Sequence, residues 1–440
     1  MNSFNIAILG CGTVGSGAAK ILTECAGMIS DRAGIPIRLV RIVDINAPSV
    51  IAHSGLQPDL FAGGGKKLTS GEASQEIQKI ITDTAINCVI ETIGGTSDWL
   101  NKAMTDILKS GKHLITANKA MLAERGAGLS AAADAAGVSL GFEAAVCGAI
   151  PIIKNVLDSF SGDEIISITG IMNGTSNYIL SKMQEENLDF DTALSQAQKA
   201  GYAEADPTLD IGGGDAGHKL CLLTRLAFGM DIPYETLPIS GITAISPADI
   251  DFAAQINCAI RLVCHAEIKN DELYAAVRPA MVRKENFLSG ISGALNAVQI
   301  HNRFAGTVLL NGKGAGSLET ASAVISDTVC IARYPEKNVY SSRRAPVKKI
   351  PADFSHLPHA FILSFETKDT PGVAGLIATA LGAHKINIDT VGHNRKNKDR
   401  TIFTVAVKPC PGTQLDAAVA EITNKNPGVI IGNPKIMPII

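Results

Sequence analysis

Short apolar runs alternate with amphipathic stretches of helical length through the first third of the chain. Asn5-Ile-Ala-Ile-Leu9 predicts a buried strand and residues 16–26 a helix. Further strands are predicted at 37–43, 88–93 and 113–116, each followed by polar or glycine residues at its C-terminal end. That alternation is the pattern of an open parallel α/β sheet. From about residue 142 the pattern becomes mixed α+β. A strand is predicted at 165–172 and helices at 215 to about 230, 250–267 and 320–332. Residues 334–355 are polar, with Pro335, Pro346 and Pro351, and read as a linker. Beyond them come a strand (359–366), a helix (373–384), strands (386–391 and 400–408), a helix (414–424) and a strand (429–437). The tail therefore reads βαββαβ.

A chain of 440 residues has room for two or three domains, and 46% hydrophobic content supplies their cores. A net charge of −3 with no Lys/Arg run argues against a nucleic-acid partner, and 5% aromatics leaves little for base stacking. The nine cysteines are odd in number and scattered, without a Cys-x-x-Cys pair, as expected of reduced thiols in a cytosolic protein. The first strand begins too early for a signal peptide, and no apolar run reaches the roughly 18 residues of a membrane span. A soluble cytoplasmic protein with no membrane contact is expected.

Gly10-Cys-Gly-Thr-Val-Gly15 follows the first strand at once and opens the first helix. In that context it is a dinucleotide-binding turn. Gly10 allows the tight turn, Gly12 the approach of a pyrophosphate, and Gly15 the packing of helix on strand. The amides of Thr13, Val14 and Gly15 would face the phosphates. Asp44, ending the second strand, is placed to accept the ribose hydroxyls of NAD; the plain alternative is a turn residue. No arginine stands beside it for a 2′-phosphate, so NAD is favoured over NADP. Gly94, Gly95 and Lys119 follow later strand ends, and Thr92 lies in the last residues of one, where ligands of parallel sheets gather. A solvated loop lysine is the competing account of Lys119.

In residues 201–219 four carboxylates, Glu204, Asp206, Asp210 and Asp215, are expected to converge on Lys219, in a stretch too glycine-rich to be a regular element. Clustered acids cost stability unless a cation, a substrate amine or a catalytic step uses them. Asp215 and Lys219 are four apart, hence on one helix face, and a simple surface ion pair is the bland reading.

Glu91-Thr-Ile-Gly-Gly95, Thr116-Ala-Asn-Lys119, Phe142-Glu-Ala-Ala-Val-Cys-Gly-Ala-Ile-Pro151, Gly170-Ile-Met-Asn-Gly-Thr-Ser-Asn177, residues 201–219 and Gly312-Lys-Gly-Ala-Gly316 follow the glycine turn in that order. Together they resemble homoserine dehydrogenase over residues 1 to about 335. The resemblance implies reversible hydride transfer between NAD or NADP and L-homoserine, giving L-aspartate 4-semialdehyde, in threonine, methionine and isoleucine biosynthesis. It implies Lys219 as acid/base and Lys119 as a second lysine near the cofactor and reacting oxygen. Glu204, Asp215, Thr175 and Asp210 match the substrate pocket, and Gly201 and Gly316 the cofactor site. It also implies a monovalent cation, Na+, on the main-chain carbonyls of Glu143, Val146, Gly148 and Ile150; a plain hinge is the alternative there. Glu319 stands where the family often has proline, which should alter a helix start and leave the chemistry alone. A homodimer or homotetramer is a family expectation.

The βαββαβ tail, with Asp369-Thr-Pro-Gly372 and Asn387-Ile-Asp389, resembles an ACT domain. That implies an amino-acid effector such as L-threonine near Asp369, Gly372 and Asn387, between paired modules; the plain alternative is a module that only promotes oligomerisation. The expected domains are a Rossmann domain (1–141 with about 312–334), an α+β substrate and dimerisation domain (142–311), a linker (335–355) and a ferredoxin-like ACT domain (356–440). Two other readings remain at this point. One is another amino-acid or semialdehyde dehydrogenase, for which Cys147 is the tempting thioester nucleophile. The other is a non-catalytic nucleotide- and amino-acid-binding regulator.

Overall fold

The computed structural model describes residues 3–338, 347–348, 352–353, 356–395 and 399–440. Most of the expected linker, 339–346, 349–351 and 354–355, lies outside the described residues. The chain divides into two compact units. One comprises Met1–Ile165, His218–Glu235 and His301–Lys349; the other comprises Ile166–Gly217, Thr236–Ile300 and Ile350–Ile440.

The first unit opens with β1 (Phe4–Leu9), α1 (Thr13–Glu24), α2 (Ala26–Ala33), β2 (Ile37–Val43), α3 (Ala47–Ser54), α4 (Ser70–Thr82), β3 (Cys88–Glu91), α5 (Asp98–Lys109), β4 (His113–Thr116), α6 (Lys119–Ala136), β5 (Leu140–Gly141) and α7 (Ile152–Lys154). Its strands are parallel, in the order β2-β1-β3-β4-β5. Every residue of β3 and β4 is buried, as expected of central strands covered by helices on both faces. The order reverses at β1, so the crevice at the C-terminal ends of β1 and β3 is the binding position of such sheets. The predicted connector between the first helix and second strand contains α2, a helix that sequence reading missed. It ends on Gly34, left-handed at φ 73°.

The chain continues through β6 (Ile165–Ile171), α8 (Gly174–Glu186), α9 (Phe190–Lys199), α10 (Thr208–Ile211), α11 (Gly214–Phe228), β7 (Met230–Asp231) and α12 (Pro247–Gln255). Next come β8 (Cys258–Lys269), β9 (Glu272–Arg283), β10 (Leu295–Asn302), β11 (Gly306–Lys313), α13 (Ser317–Arg333) and β12 (Val347–Lys348). The expected helix over 250–267 is a correction. The helix stops at Gln255, Asn257 turns left-handed at φ 57°, and Cys258 begins a twelve-residue strand. Asn270 and Asp271, both at positive φ, make the tight hairpin turn into β9. In the first unit α13 packs on α1: Ser317 Oγ donates to the Thr13 carbonyl (2.5 Å), and a Cβ at Gly17 would stand 2.8 Å from the Ser317 carbonyl oxygen. Glu319 lies in the first turn of α13 and pairs with Lys313 at 2.8 Å.

The C-terminal elements are β13 (His359–Lys368), α14 (Val373–Ala383), β14 (Ile388–Arg395), β15 (Arg400–Cys410), α15 (Gly412–Lys425) and β16 (Ile430–Ile439), the predicted βαββαβ order. Their antiparallel pairing gives β16-β13-β15-β14, a ferredoxin-like sheet. Alternation along β13 sends Phe361, Leu363 and Phe365 into a core with Ile377, Leu381, Leu415 and Ile422 of the two helices. Ser364 faces the other way, towards α12. There Lys435 Nζ meets Asp249 Oδ2 at 2.6 Å, and the Phe252 ring fills the space a side chain at Gly392 would need. Ile439 of β16 pairs with Met281 of β9, so one sheet runs through the second unit.

Candidate active site

In the first unit β1 delivers the chain into Gly10, left-handed at φ 79°. A Cβ at Gly15 would collide with the Gly10 carbonyl oxygen, while Gly12 faces open space. Helix α1 starts at Thr13 without a side-chain cap, so its first amides point outward unclaimed by any cap. Polar bonds hold this turn rigid. Thr92 Oγ1 donates to the Gly10 carbonyl at 2.5 Å, and Asp44 Oδ2 accepts from the Cys11 amide at 2.6 Å. Asp44 Oδ1 accepts from the Asn46 amide at 2.7 Å. The aspartate thus braces the turn through both of its oxygens. Burial and the neighbouring Asp44 push the Cys11 thiol up to about 12.

Lys119 is no loop lysine. It is the first residue of α6, capped by Asn118, whose Oδ1 accepts from the Met121 amide at 3.1 Å. Asn118 Nδ2 donates to the Gly95 carbonyl (2.7 Å), and its amide donates to Thr116 Oγ1 (3.0 Å). Thr116 in turn donates to Glu91, a carboxylate with no exposed surface that also accepts from the Ile93 and Gly94 amides. Glu91 and Asn118 are positioning residues that sequence reasoning missed. Their only signal was their place inside the two quoted motifs.

In the second unit the acidic stretch is ordered by Asn173, which was also missed as a site residue. Its Nδ2 donates to Asp210 Oδ1 at 2.7 Å and to Asp215 Oδ2 at 2.9 Å. Its Oδ1 caps α8 by accepting from the Ser176 amide at 2.7 Å, and Ser176 Oγ reaches the Asp210 carbonyl at 2.8 Å. Thr175 Oγ1 donates to the Tyr202 carbonyl at 2.7 Å, tying the Asn-Gly-Thr turn to the loop after Gly201, which is left-handed at φ 77°. The expectation that four acids converge needs correction. Asp206 caps a turn through Thr208, and Glu204 is exposed. The stretch is also more regular than its glycines suggested, with α10 and the start of α11 inside it. On α11, Asp215 is 5% exposed and Lys219, one turn further on, 7%. A surface ion pair does not describe them.

The segment around 143–150 is buried except for Ala149. Cys147 (φ 56°) and Gly148 (φ 51°) are consecutive left-handed residues, and a Cβ at Gly148 would stand 2.7 Å from the Gly314 carbonyl oxygen. Such a turn re-aims successive carbonyls, which is what main-chain cation ligation requires. Glu143, buried, accepts from the Ile153 and Lys154 amides; its own amide donates to Asp327, which is ion-paired with Lys154 at 3.2 Å. Burial, then repulsion from Asp327, raises the Glu143 carboxyl to about 7. Cys147 itself has no exposed surface, which disfavours a thioester nucleophile there. All nine cysteines are free thiols.

Of the expected effector residues, Asp369 accepts from Arg395 at 3.3 Å, Gly372 (φ 93°) is the N-cap of α14, and the Asn387 carbonyl accepts from the Lys408 amide. Among the described residues no helix is long and apolar enough to cross a membrane.

A parallel sheet with a glycine turn at its switch point defines a dinucleotide-binding domain, the kind that serves NAD(P)-dependent oxidoreductases. Residues 10–143 match the family model "Homoserine dehydrogenase, NAD binding domain", and residues 151–329 the model "Homoserine dehydrogenase". The homoserine dehydrogenase of Helicobacter pylori is 36% identical over 403 residues, covering 91% of each chain. A crystal structure of a homoserine dehydrogenase from Thiobacillus denitrificans superposes with a TM-score of 0.88 at 30% identity, covering 100% of this chain and 98% of that one. A hyperthermophilic archaeal homoserine dehydrogenase solved with NADPH shares the fold at a TM-score of 0.61 and 24% identity, covering 77% of this chain and 99% of that one. The chain belongs to the homoserine dehydrogenase family. Its reaction is the NAD(P)-dependent interconversion of L-homoserine and L-aspartate 4-semialdehyde.

Proposed function

We propose that Lys219 is the acid/base of this reaction and that Lys119 stabilises the oxygen on which charge develops. The bound nicotinamide supplies the hydride acceptor. What remains for the protein is to take up the hydroxyl proton and to offset the forming alkoxide, for which a lysine ammonium is suited. Glu204 and Asp215 receive the substrate ammonium, with Thr175 and Asp210 lining the pocket beside them. The observation that carries this reading is the Asn173 amide holding Asp210 and Asp215 at 2.7 and 2.9 Å, one helical turn before a 7%-exposed lysine. An ordered carboxylate pair beside a buried lysine suits an amino-alcohol substrate, whose ammonium such acids can receive.

On the cofactor side Gly10, Gly12, Thr13, Val14 and Gly15 cradle the pyrophosphate, Asp44 takes the ribose hydroxyls, and Thr92, Gly201 and Gly316 line the remainder. NAD is the preferred form. The carbonyls of Glu143, Val146, Gly148 and Ile150 hold a monovalent cation, Na+. We keep the Rossmann domain at 1–141 with about 312–334, the substrate and dimerisation domain at 142–311, and an ACT module at 356–440. In this reading the module binds L-threonine and inhibits, in a cytoplasmic homodimer or homotetramer.

The test is to follow the absorbance of reduced nicotinamide while the purified chain acts on L-homoserine with NAD or NADP. L-threonine is titrated into full-length protein and into a chain lacking 356–440. Equal inhibition of both would remove the regulatory role of the tail.

A further inference from the structure

A second small-molecule site lies on the face of the C-terminal sheet that carries α12. A cavity of about 210 Å³ opens there between the end of α12, the end of β9 and the strands of the βαββαβ module. Its apolar wall includes Ile256, Ala360, Val407 and Ile439. Three charged side chains line it: Arg283 from β9, Asp389 from β14 and Lys408 from β15. Among the described residues none of the three makes an ion pair or a side-chain hydrogen bond. Opposite charges that share a cavity without pairing are available to an occupant carrying both signs. The volume equals about seven waters at roughly 30 Å³ each, the size class of a small α-amino acid.

We propose that this cavity binds the zwitterion of a small α-amino acid, with Arg283 and Lys408 on the carboxylate, Asp389 on the ammonium and the aliphatic side chain against Ile256 and Val407. The proposal deepens the regulatory reading given above and rests on it, but sets the effector apart from Asp369, Gly372 and Asn387. The position suits a regulator. Ile256 is the C-cap of α12, and the other end of that helix is tied to the module by Asp249, which accepts from Lys435 at 2.6 Å and from Ser364 at 3.4 Å. An occupant therefore touches the module and the elements it is anchored to at once. Its affinity then depends on how they are set, and their setting on it.

The probes are L-threonine, L-valine and L-threoninol, titrated calorimetrically into the full-length chain. L-Threoninol lacks the carboxylate. Arg283→Gln should weaken L-threonine binding by about tenfold to a hundredfold while leaving the already weak L-threoninol unchanged. Asp389→Asn should weaken all three probes, and Arg283→Lys should restore part of the L-threonine affinity. Thermal melts establish that each variant is folded. If L-threonine binds and inhibits but only Asp369→Ala or Asn387→Ala weakens it, this cavity is not the site, and regulation stands at the turn. If no probe binds or inhibits, both the cavity proposal and the regulatory reading fall.

Discussion

Asn173→Asp replaces one atom group and turns a donor shared by two carboxylates into a third acid. The N-cap of α8 survives, because aspartate caps about as well as asparagine. What is lost is the pair of bonds to Asp210 (2.7 Å) and Asp215 (2.9 Å). Bonds to charged groups contribute about 1.5–3 kcal/mol each, and the half-buried Asp210 argues for the lower end, so the pair is worth about 3 kcal/mol. Repulsion among three acids adds to the loss and raises the pKa of at least one of them. With 1.4 kcal/mol per tenfold, kcat/KM for L-homoserine should fall about a hundredfold or more at a pH near 8. The deficit should shrink as pH falls, because one captured proton restores a donor between the acids. Steady-state kinetics across pH, with urea unfolding alongside, reads both effects. Wild-type kcat/KM in Asn173→Asp at every pH would refute the claim that this amide organises the substrate carboxylates.

Other perturbations separate the parts of the account. Gly15→Ala puts a methyl against the Gly10 carbonyl oxygen and should abolish NADH and NADPH binding, read by nicotinamide fluorescence, while the second unit's elements persist by hydrogen exchange. His113 is buried, accepts the Ser139 amide on Nδ1, and is held down to about 4 by desolvation. An imidazole whose folded pKa is depressed contributes stability that is present above about 6.5 and lost as pH falls towards 4. His113→Gln should therefore flatten the acid limb of the stability curve between those values, by up to about 3 kcal/mol. Exchange of Na+ for tetramethylammonium should lower activity and melting temperature together if the carbonyls of the 143–150 turn hold a cation; unchanged values in both would remove that site.

The first sheet was legible because its chemistry is local. Strands 37–43 and 113–116 were bounded by the residues that bound them in space, and the glycine turn explains itself sterically at Gly10 and Gly15. The ferredoxin-like tail was legible from alternating lengths alone. The 250–267 stretch was misread because only Ile256 and Asn257 separate the end of α12 from β8, so helix and strand read as one run; the alternation of Ile260, Leu262, Cys264, Ala266 and Ile268 with Arg261, His265, Glu267 and Lys269, and the Asn270-Asp271 turn, were the better signals. At the site, titratable residues attract notice, whereas Asn173, Asn118 and Glu91 act by holding others. Their roles depend on partners 23 to 42 positions away, which no local pattern encodes.

The central claim is that the lysine one turn beyond Asp215 handles the hydroxyl proton. It is tested most directly by comparing hydride transfer from L-homoserine in Lys219→Ala, Cys147→Ser and the parent chain, with nucleotide binding measured in each. The account predicts that Lys219→Ala loses about a hundredfold to ten-thousandfold in kcat with nucleotide affinity kept, and that Cys147→Ser stays active. Full turnover in Lys219→Ala, or its loss in Cys147→Ser alone, would contradict it.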